Sequence, residues 1–394
     1  MKILRRLFLV LFILVFISGA FTSGSVLSTS LITFSNDIFQ KLALQKTENT
    51  FISPASIYLA LAMAYNGARG NTQKAMAECL KANHISINEL NRFGKEFMGY
   101  LHSMKNDVTI NIANSIWIRH DFRVLPDFIR RNADSYSALV KNITMNQQGL
   151  RTINQWIEKK TQQKIKDMLK RIDPAAVMFL VNAIYFLGNW EKKFDERLTR
   201  DYDFHLAEGG KIKTKTMNQF GDFPYYENED FQAVRLDYKN KKLGMVLVLP
   251  REGKPLSGLL RTLSFFGQYD KIIANLNRRK GSVFIPRFKF KYSKDLIPVL
   301  KSMGMGVAFT SAANFTGINP NGRLFINLVQ HDAFVEVNET GTEAAAATIV
   351  GFARTSAPQY QVRPFVFRAD RPFFYFIADN ERKIPLFMGT LYKP

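Results

Sequence analysis

The chain of 394 residues carries 54 lysines and arginines against 33 aspartates and glutamates, a formal net charge of +21 at pH 7. The basic excess favours acidic partners such as sulfated glycans or anionic lipid, although a soluble surface without a specific ligand explains it equally well. Its single cysteine, Cys79, excludes an internal disulfide and is interpreted as a buried apolar residue. Stability must therefore come from a large packed core, which the length and the 46% hydrophobic content permit.

The first 20 residues have the pattern of a secretory signal peptide. Lys2, Arg5 and Arg6 precede the apolar run Leu7–Ile17, and the small residues Ser18-Gly19-Ala20 follow it. The run is too short to span a bilayer comfortably, which makes an uncleaved anchor the less favoured alternative. We predict cleavage after residue 20, or as late as about residue 24, and a secreted, extracellular protein. Removing three basic residues lowers the net charge from +21 to +18.

Beyond the signal peptide, we predict one domain over residues 25–394, because no repeat or long linker divides the chain. Residues 30–175 are mostly helical in pattern, with a helix opened by Ser53-Pro54-Ala55-Ser56 and another across Asn154–Leu169. Strand-like runs rich in Val, Ile and Phe are Val108–Trp117, Met178–Phe186, Gly244–Leu249, Ser282–Lys291, Leu324–Val337 and Pro372–Ala378. This order predicts an α+β fold with large, mostly antiparallel β-sheets.

Motifs for catalysis and metal binding are absent from the sequence. There is no Gly-x-Ser-x-Gly, His-Glu-x-x-His, Cys-x-x-Cys or P-loop pattern. The histidines lack the spacing of a metal site, and we interpret each as structural: His84, His102, His120, His205 and His331. We therefore predict that the protein is not an enzyme and that it binds neither a metal ion nor a resident cofactor.

Residues Glu339–Thr348 contain four consecutive alanines. Local rules predict a short surface helix, because Thr340 and Glu343 fit a capping box and alanine is the best helix former. A strand would instead place only small residues on its inward face, namely Thr342, Ala344, Ala346 and Thr348. Such a face fits a gap between existing strands, so local rules leave a surface helix and a moving strand equally open.

Several blocks, taken in order, resemble the serpin family over nearly all of residues 30–394. The matching blocks are Asn49–Ile57, Asn182–Trp190, Pro286–Phe288, Leu300–Met305, His331–Val337, Arg371–Phe373 and Phe387–Gly389. Each block is weak alone, but the ordered set is specific. Within the family, the sequence most resembles secreted arthropod serpins, such as those of tick saliva.

The resemblance implies the serpin fold, with helices packed on large sheets and an exposed reactive loop at residues 339–361. It implies a monomeric, one-use inhibitor that a serine protease attacks, forming a covalent acyl complex. The cut loop then inserts as a strand in the main sheet and traps the protease. The loop's hinge would comprise Glu339, Gly341, Thr342, Glu343, Ala344, Ala345, Ala346, Ala347 and Thr348. Non-inhibitory carriers of the family, the alternative class, usually lose these small residues.

The cut bond follows from the family spacing counted from Glu339, which leads to Thr355 and Ser356, with Arg354 one place earlier. A trypsin-like pocket with a buried carboxylate would bind Arg354, so we favour the bond between Arg354 and Thr355. The alternatives that remain open are Thr355 or Ala353 for an elastase-like pocket, Phe352 for a chymotrypsin-like pocket, and Arg363.

Three further sets of residues follow. The positions that match the family's shutter, which controls opening of the main sheet, are Ser53, Ser56, Asn182 and His331. We expect these residues to be hydrogen-bonded, whether they act as a shutter or are ordinary buried residues.

A group of basic residues forms either a glycosaminoglycan-binding surface or a solvated face. Its members are Lys159, Lys160, Lys164, Lys166, Lys170 and Arg171. Glycosylation patterns begin at Asn142, Asn314 and Asn338, and we expect use of the first two, since a glycan at Asn338 would impede the hinge.

Overall fold

The computed structural model describes residues 26–104, 108–263, 268–342 and 363–394. The predicted signal peptide lies outside the described residues. So do the hinge positions from Glu343 to Thr348 and the proposed cut bond at Arg354, Thr355 and Ser356.

Helices dominate the first part of the described chain, as predicted. They are α1 (26–43), α2 (Pro54–Tyr65), α3 (Gly70–Cys79), α4 (Ile87–Ser103), α5 (Pro126–Tyr136), α6 (Gln147–Lys160), α7 (Leu256–Leu263), α8 (Gln268–Asn275) and α9 (Ile297–Leu300). Helix α2 begins as expected, because the Ser53 side chain accepts a hydrogen bond from the Ser56 amide and Pro54 occupies the first turn. Every residue of α2 is buried.

The predicted helix across Asn154–Leu169 is partly wrong. Helix α6 begins earlier and ends at Lys160. Gln162, Gln163 and Asp167 adopt positive φ angles, which exclude a continuous right-handed helix. The apolar residues beyond the helix are nevertheless buried, because residues 161–176, the covering segment, lie against the face of a β-sheet. Their spacing resembled a helix, but the sheet beneath them decided their burial.

Two sheets contain the described strands. The nine-stranded sheet has the order β1-β15-β14-β8-β7-β6-β9-β13, with β5 paired to β6. Its strands are β1 (Thr50–Ile52), β5 (Arg200–His205), β6 (Lys211–Glu227), β7 (Phe231–Asp237), β8 (Leu243–Pro250), β9 (Asn277–Pro286), β13 (Phe365–Arg368), β14 (Phe373–Asp379) and β15 (Pro385–Leu391). The six-stranded sheet has the order β10-β11-β12-β4-β2-β3. Its strands are β2 (Val108–Arg119), β3 (Leu139–Ile143), β4 (Met178–Asn189), β10 (Phe288–Asp295), β11 (Leu328–Val337) and β12 (Gly341–Thr342).

The predicted mostly antiparallel α+β architecture is confirmed. Parallel pairing is confined, among the described strands, to β2 with β3, β4 with β11, and β9 with β13. The run Ser282–Lys291 was predicted as one strand, but Arg287 divides it between β9 and β10, which lie in different sheets. The run Leu324–Val337 becomes strand only from Leu328.

Helix α2 links the two sheets, since it contacts β15 of the nine-stranded sheet and β2 and β4 of the six-stranded sheet. Aromatic rings also stack between the paired strands β1 and β15, where those of Phe51 and Phe387 lie 5.3 Å apart at 5°. Within the described ranges, none of the helices is long and apolar enough to cross a membrane.

Candidate functional site: a polar cluster and the entry to the central sheet

A buried polar cluster joins the start of α2 to the middle of the six-stranded sheet. It contains all four predicted shutter residues and one that sequence reasoning missed: Ser53, Ser56, Asn114, Asn182 and His331. The registers place His331 of β11 and Asn114 of β2 on either side of Asn182 in β4. The expectation that the four predicted residues are buried and hydrogen-bonded therefore agrees with the geometry.

His331 is held as a neutral imidazole. The Ser53 amide donates to its Nε2 over 3.2 Å, so that Nδ1 carries the proton and donates to the Asn182 side-chain oxygen. Burial lowers the pKa of His331 to about 3, because the charged ring would lose its hydration. The ring therefore stays uncharged at neutral pH and bridges α2 to β4.

Asn182 is the hub of the polar cluster. Its amide nitrogen donates to the Ser56 hydroxyl oxygen and to the Asn114 side-chain oxygen. Ser53 completes the set, because its hydroxyl donates to the Leu386 carbonyl oxygen over 2.7 Å. The cluster thus connects α2, both strands that flank β4, and β15 of the other sheet. Only the strand register could have revealed Asn114 as a member.

Strand β12 enters the six-stranded sheet between β4 and β11. Thr342 pairs with Gly188 of β4 on one side and with Val337 of β11 on the other, both antiparallel. Below this point β4 and β11 pair directly, in seven parallel residue pairs that end at Phe334 and Tyr185. The chain that leads towards the alanine run therefore already occupies the top of the seam between these two strands.

Gly341 is needed at the entry because two backbones meet there. A Cβ atom at this position would lie 2.1 Å from the Gly188 carbonyl oxygen and 2.7 Å from the Asn189 Cα. No side chain fits such a space without displacing β4. The sequence signal for this residue was the family pattern, and the physical reason is close backbone approach.

Thr342 is fully buried, and its hydroxyl lies 2.8 Å from the Tyr238 hydroxyl. The Tyr238 ring in turn stacks on Trp190, with ring centroids 4.8 Å apart. Burial raises the pKa of Tyr238, so that its hydroxyl stays protonated. The inward direction predicted for Thr342 in a strand is therefore the direction observed.

Glu339 forms a charged contact beside the same entry. Its side chain is almost fully buried, yet Arg287 donates to its Oε1 from Nε over 2.8 Å, and the Thr199 hydroxyl donates as well. Burial alone would raise the pKa of the Glu339 carboxyl, but the hydrogen bonds from Arg287 and Thr199 outweigh it and lower the pKa. Sequence reasoning named Glu339 for the hinge but placed Arg287, the residue that separates β9 from β10, only within a family block and not beside Glu339.

Asn338 shapes the turn between β11 and β12. Its side-chain oxygen accepts hydrogen bonds from the Thr340 and Gly341 amides, and its backbone carbonyl accepts one from the Trp190 indole. Trp190 also binds this turn through its backbone, because its amide donates a hydrogen bond to the Thr340 carbonyl over 3.0 Å. We call Trp190, Tyr238, Arg287, Glu339 and Thr342 the entry site. That Asn338 carries no glycan stays a prediction, made because a glycan beside the hinge would impede it.

The two other acceptor asparagines differ in environment. Asn142 is exposed, but its amide nitrogen donates to the carbonyl oxygens of Arg119 and Phe122. Asn314 is half-buried and uses its side-chain oxygen to accept from Thr316. Glycosylation of both remains a prediction, with Asn314 the better placed because its nitrogen donates to no described group.

The six predicted polyanion residues are all exposed but do not share one helix. Lys159 and Lys160 end α6, whereas the remaining four lie on the covering segment: Lys164, Lys166, Lys170 and Arg171. Lys164 lies over the Tyr185 ring at 5.9 Å. Glycosaminoglycan binding here stays a prediction.

Neither metal nor thiol chemistry is indicated. Across the described ranges, no cluster of His, Cys, Asp or Glu could hold a metal ion. Cys79 is buried, and burial raises the pKa of its thiol to about 12.

Comparison with known proteins agrees with this geometry. A family model described as Serpin (serine protease inhibitor) matches residues 29–394. An uncharacterized serpin-like protein of Thermococcus kodakarensis is 36% identical over 370 residues, which cover 92% of this chain and 84% of that protein. Iris of Ixodes ricinus is 35% identical, with 93% of this chain and 98% of Iris covered. The crystal structure of native tengpin, a thermophilic serpin, matches with a TM-score of 0.86 at 31% identity, covering 93% of this chain and 94% of tengpin.

The chain therefore belongs to the serpin family of serine protease inhibitors. The predicted resemblance and the serpin fold are confirmed, and the family is one of serine protease inhibitors rather than of enzymes.

Proposed function

We propose that this protein is a secreted, monomeric, one-use inhibitor of trypsin-like serine proteases. The protease serine attacks the Arg354 carbonyl, the Thr355 amine leaves, and an ester joins the two proteins. The chain from Glu343 onwards then inserts between β4 and β11. Because the protease is attached to this chain, insertion moves the protease and distorts its active site. The observation that carries this proposal is β12, which already lies between these strands at the top of the seam.

Full insertion requires the seven direct pairs between β4 and β11 to separate. A new strand moves its neighbours from about 5 Å to about 10 Å apart, a distance no hydrogen bond spans. One of the separated pairs is His331 with Asn182, whose side chains are hydrogen-bonded to each other. The polar cluster thus holds the seam closed and must open once per inhibition event, which is the role proposed for the shutter residues.

The register at Thr342 supports the hinge assignment. Continuing antiparallel from the pair of Thr342 with Gly188 places Thr348 opposite Asn182. Opposed residues of antiparallel strands point to the same face, so Thr348 would face the polar cluster. Its hydroxyl would then provide a partner for Asn182 when His331 moves away. Between these two threonines, the inward positions hold only Ala344 and Ala346, which need little space.

The length of the segment supports a cut near Arg354. This residue lies twelve positions after Thr342, a reach of about 40 Å as an extended strand. The same register brings Phe352 opposite Met178, where β4 begins. A cut after Arg354 therefore frees enough chain to fill the seam from end to end. A cut after Thr355 by an elastase-like protease satisfies the same length and is the alternative target.

Loss of active geometry makes the acyl bond persist. Removing one oxyanion donor slows such chemistry by roughly 100- to 1,000-fold. Secretion is part of the proposal and is supported by the signal-peptide pattern of the first 20 residues.

The test is incubation of the mature protein with trypsin, followed by denaturing gel electrophoresis and mass spectrometry of the released C-terminal peptide. We expect a covalent complex and a released peptide that starts at Thr355. A peptide starting at Ser356 would instead identify cleavage after Thr355 and an elastase-like target. Cleavage without any complex, for trypsin and for elastase- and chymotrypsin-like proteases, would overturn the inhibitor proposal and favour a non-inhibitory carrier.

A further inference from the structure

A cavity lies at the lower end of the seam between β4 and β11, where the covering segment meets β4, β10 and β11. Its volume is about 460 Å³, which is within the range of small-molecule binding sites. A second cavity, lined by Trp190 and Arg235 at the other end of β4, holds only about 30 Å³. Of these two cavities, only the first is large enough for an organic ligand. We call it the seam cavity.

The apolar lining of the seam cavity comes from both sides of the seam. Phe179 of β4 and Leu328 of β11 both line it, and they form one of the seven direct residue pairs between these strands. Met168 and Leu169 of the covering segment add further apolar surface. A hydrocarbon group in the cavity would therefore contact β4 and β11 at the same time.

The polar lining is rich in positive charge and hydrogen-bond donors. Lys170, Arg171 and Lys294 line the cavity, and none of them forms an ion pair with a described residue. The side-chain oxygen of Asn327 accepts a hydrogen bond from the Val177 amide, whereas its nitrogen donates to no described group. These groups favour a ligand that accepts hydrogen bonds and carries negative charge.

The two carboxylates of the lining are already engaged in local turns. Asp173 accepts a hydrogen bond from the Ala175 amide over 2.9 Å, and Asp295 accepts one from the Ile297 amide over 3.0 Å. They offset only part of the charge of the three cations. An apolar lining beside excess cations and donors complements a molecule with a hydrocarbon body and a carboxylate head.

We propose that the seam cavity is a regulatory site for a small amphipathic carboxylate. The hydrocarbon body packs on Phe179 and Leu328, and the carboxylate binds Lys170 and Arg171. Full strand insertion moves Phe179 and Leu328 from about 5 Å to about 10 Å apart, so the complete site exists only while the seam is closed. The bound carboxylate therefore opposes insertion. This coupling rests on the proposed inhibitory function.

Linkage gives the size of the effect. A ligand that binds only the closed seam lowers the population of the open seam by one plus the ratio of its concentration to its dissociation constant. At ten times the dissociation constant, this factor is about elevenfold. Insertion should slow by about the same factor, so that the protease hydrolyses more of the acyl bond. More inhibitor molecules are then consumed for each protease inactivated.

The first measurement is equilibrium dialysis of the mature protein with two probes, decanoate and 2-naphthoate, which distinguish an aliphatic from an aromatic body. The uncharged control probe is 1-decanol. The test variant combines Lys170→Gln with Arg171→Gln. Its matched control combines Lys159→Gln with Lys160→Gln, which removes the same charge from exposed residues that end α6 and do not line the cavity.

We expect saturable binding of at least one carboxylate to the wild type. Its dissociation constant should rise about tenfold in the Lys170 and Arg171 variant, as for loss of hydrogen bonds to a charged group. The Lys159 and Lys160 control should match the wild type. Binding of 1-decanol should stay within about twofold in both variants, because its hydroxyl carries no charge.

The second measurement is the stoichiometry of trypsin inhibition with the bound carboxylate at ten times its dissociation constant. The number of inhibitor molecules consumed per trypsin should rise for the wild type and for the Lys159 and Lys160 control. The Lys170 and Arg171 variant should respond only at about tenfold higher concentration. Hydrolysis of a peptide substrate by trypsin alone checks that the probe leaves the protease unaffected.

Three results would overturn the proposal. Neither carboxylate might bind saturably, or both double variants might lose affinity equally, and either result would exclude the site. Unchanged stoichiometry with the carboxylate bound would exclude its regulatory role. If a carboxylate binds through Lys170 and Arg171 but the protein traps no protease even without it, the inhibitory function fails while the binding site stands.

Discussion

Replacing Thr342 by arginine tests whether this residue must enter the sheet. The side chain is fully buried and faces the Tyr238 hydroxyl, with no acidic group among its described hydrogen-bond partners. An arginine stays charged at any working pH. Leaving such a charge unpaired in the interior costs about 3–5 kcal/mol. The charge is therefore expected to draw β12 out of the seam in the uncut variant and to be buried only when the cut loop inserts. Since each 1.36 kcal/mol changes a rate tenfold, insertion should then slow by about 150- to 5,000-fold.

Slower insertion gives the protease time to hydrolyse the acyl bond. We therefore expect Thr342→Arg to be cleaved by trypsin at the wild-type rate but to form little covalent complex. The measurements are the number of inhibitor molecules consumed per protease inactivated and the kcat/KM for cleavage. The reasoning would be refuted if Thr342→Arg inactivated trypsin at the wild-type stoichiometry.

Thr342→Val is the control at the same position, because it keeps the shape but removes the hydroxyl. It leaves the buried Tyr238 hydroxyl without its partner, at a cost of about 1–3 kcal/mol. We expect a lower melting temperature with unchanged stoichiometry of inhibition. This pair of variants separates the effect of a buried charge on insertion from a general loss of stability.

Three further predictions concern the cut bond, the polar cluster and the entry site. Arg354→Ala should abolish trapping of trypsin, measured on gels, and unchanged trapping would locate the cut elsewhere. Because burial lowers the pKa of His331 from 6.5 to about 3, the unfolded chain binds the proton first as pH falls. Stability from this residue is complete above pH 6.5 and should decline towards pH 3 by up to about 1.4 kcal/mol per unit. Calorimetry should show that the stability of His331→Gln declines less steeply with falling pH than that of the wild type. Equal slopes for the two proteins would contradict the assignment of His331 as a neutral imidazole. Arg287→Ala should lower the melting temperature more than Glu339→Gln, because only the first leaves a buried carboxylate without its cation. The opposite order would show that the carboxylate is solvated.

The sequence by itself determined the local and family-level features. Ser53 and Pro54 specify the start of α2 through capping and a fixed φ angle, which need no distant partner. The small residues after Gly341 indicate a segment suited to a crowded gap, and the ordered blocks identified the family. These signals are local, because each depends on side-chain size or backbone preference at neighbouring positions.

Tertiary structure decided which distant residues meet. Ser53 and His331 lie 278 positions apart, and only the strand registers bring them together around Asn182. The same is true of Arg287 and Glu339, 52 positions apart. Desolvation of these groups, and hence the neutral His331 and the ionised Glu339, follows from packing that no local pattern encodes.

Two outcomes illustrate the limit of local rules. The apolar spacing across Asn154–Leu169 favoured a continuous helix, but burial against β4 and β2 is satisfied by a turn-rich covering segment after Lys160. Local rules favoured a helix and an inserted strand equally for the hinge. Gly341 and Thr342 nevertheless form a strand, because β4 and β11 provide backbone hydrogen-bonding groups on both sides. Propensity amounts to tenths of a kcal/mol per residue, whereas a buried strand satisfies both backbone edges and several side chains at once. The neighbouring strands, rather than the local sequence, therefore select the conformation at this point of the chain.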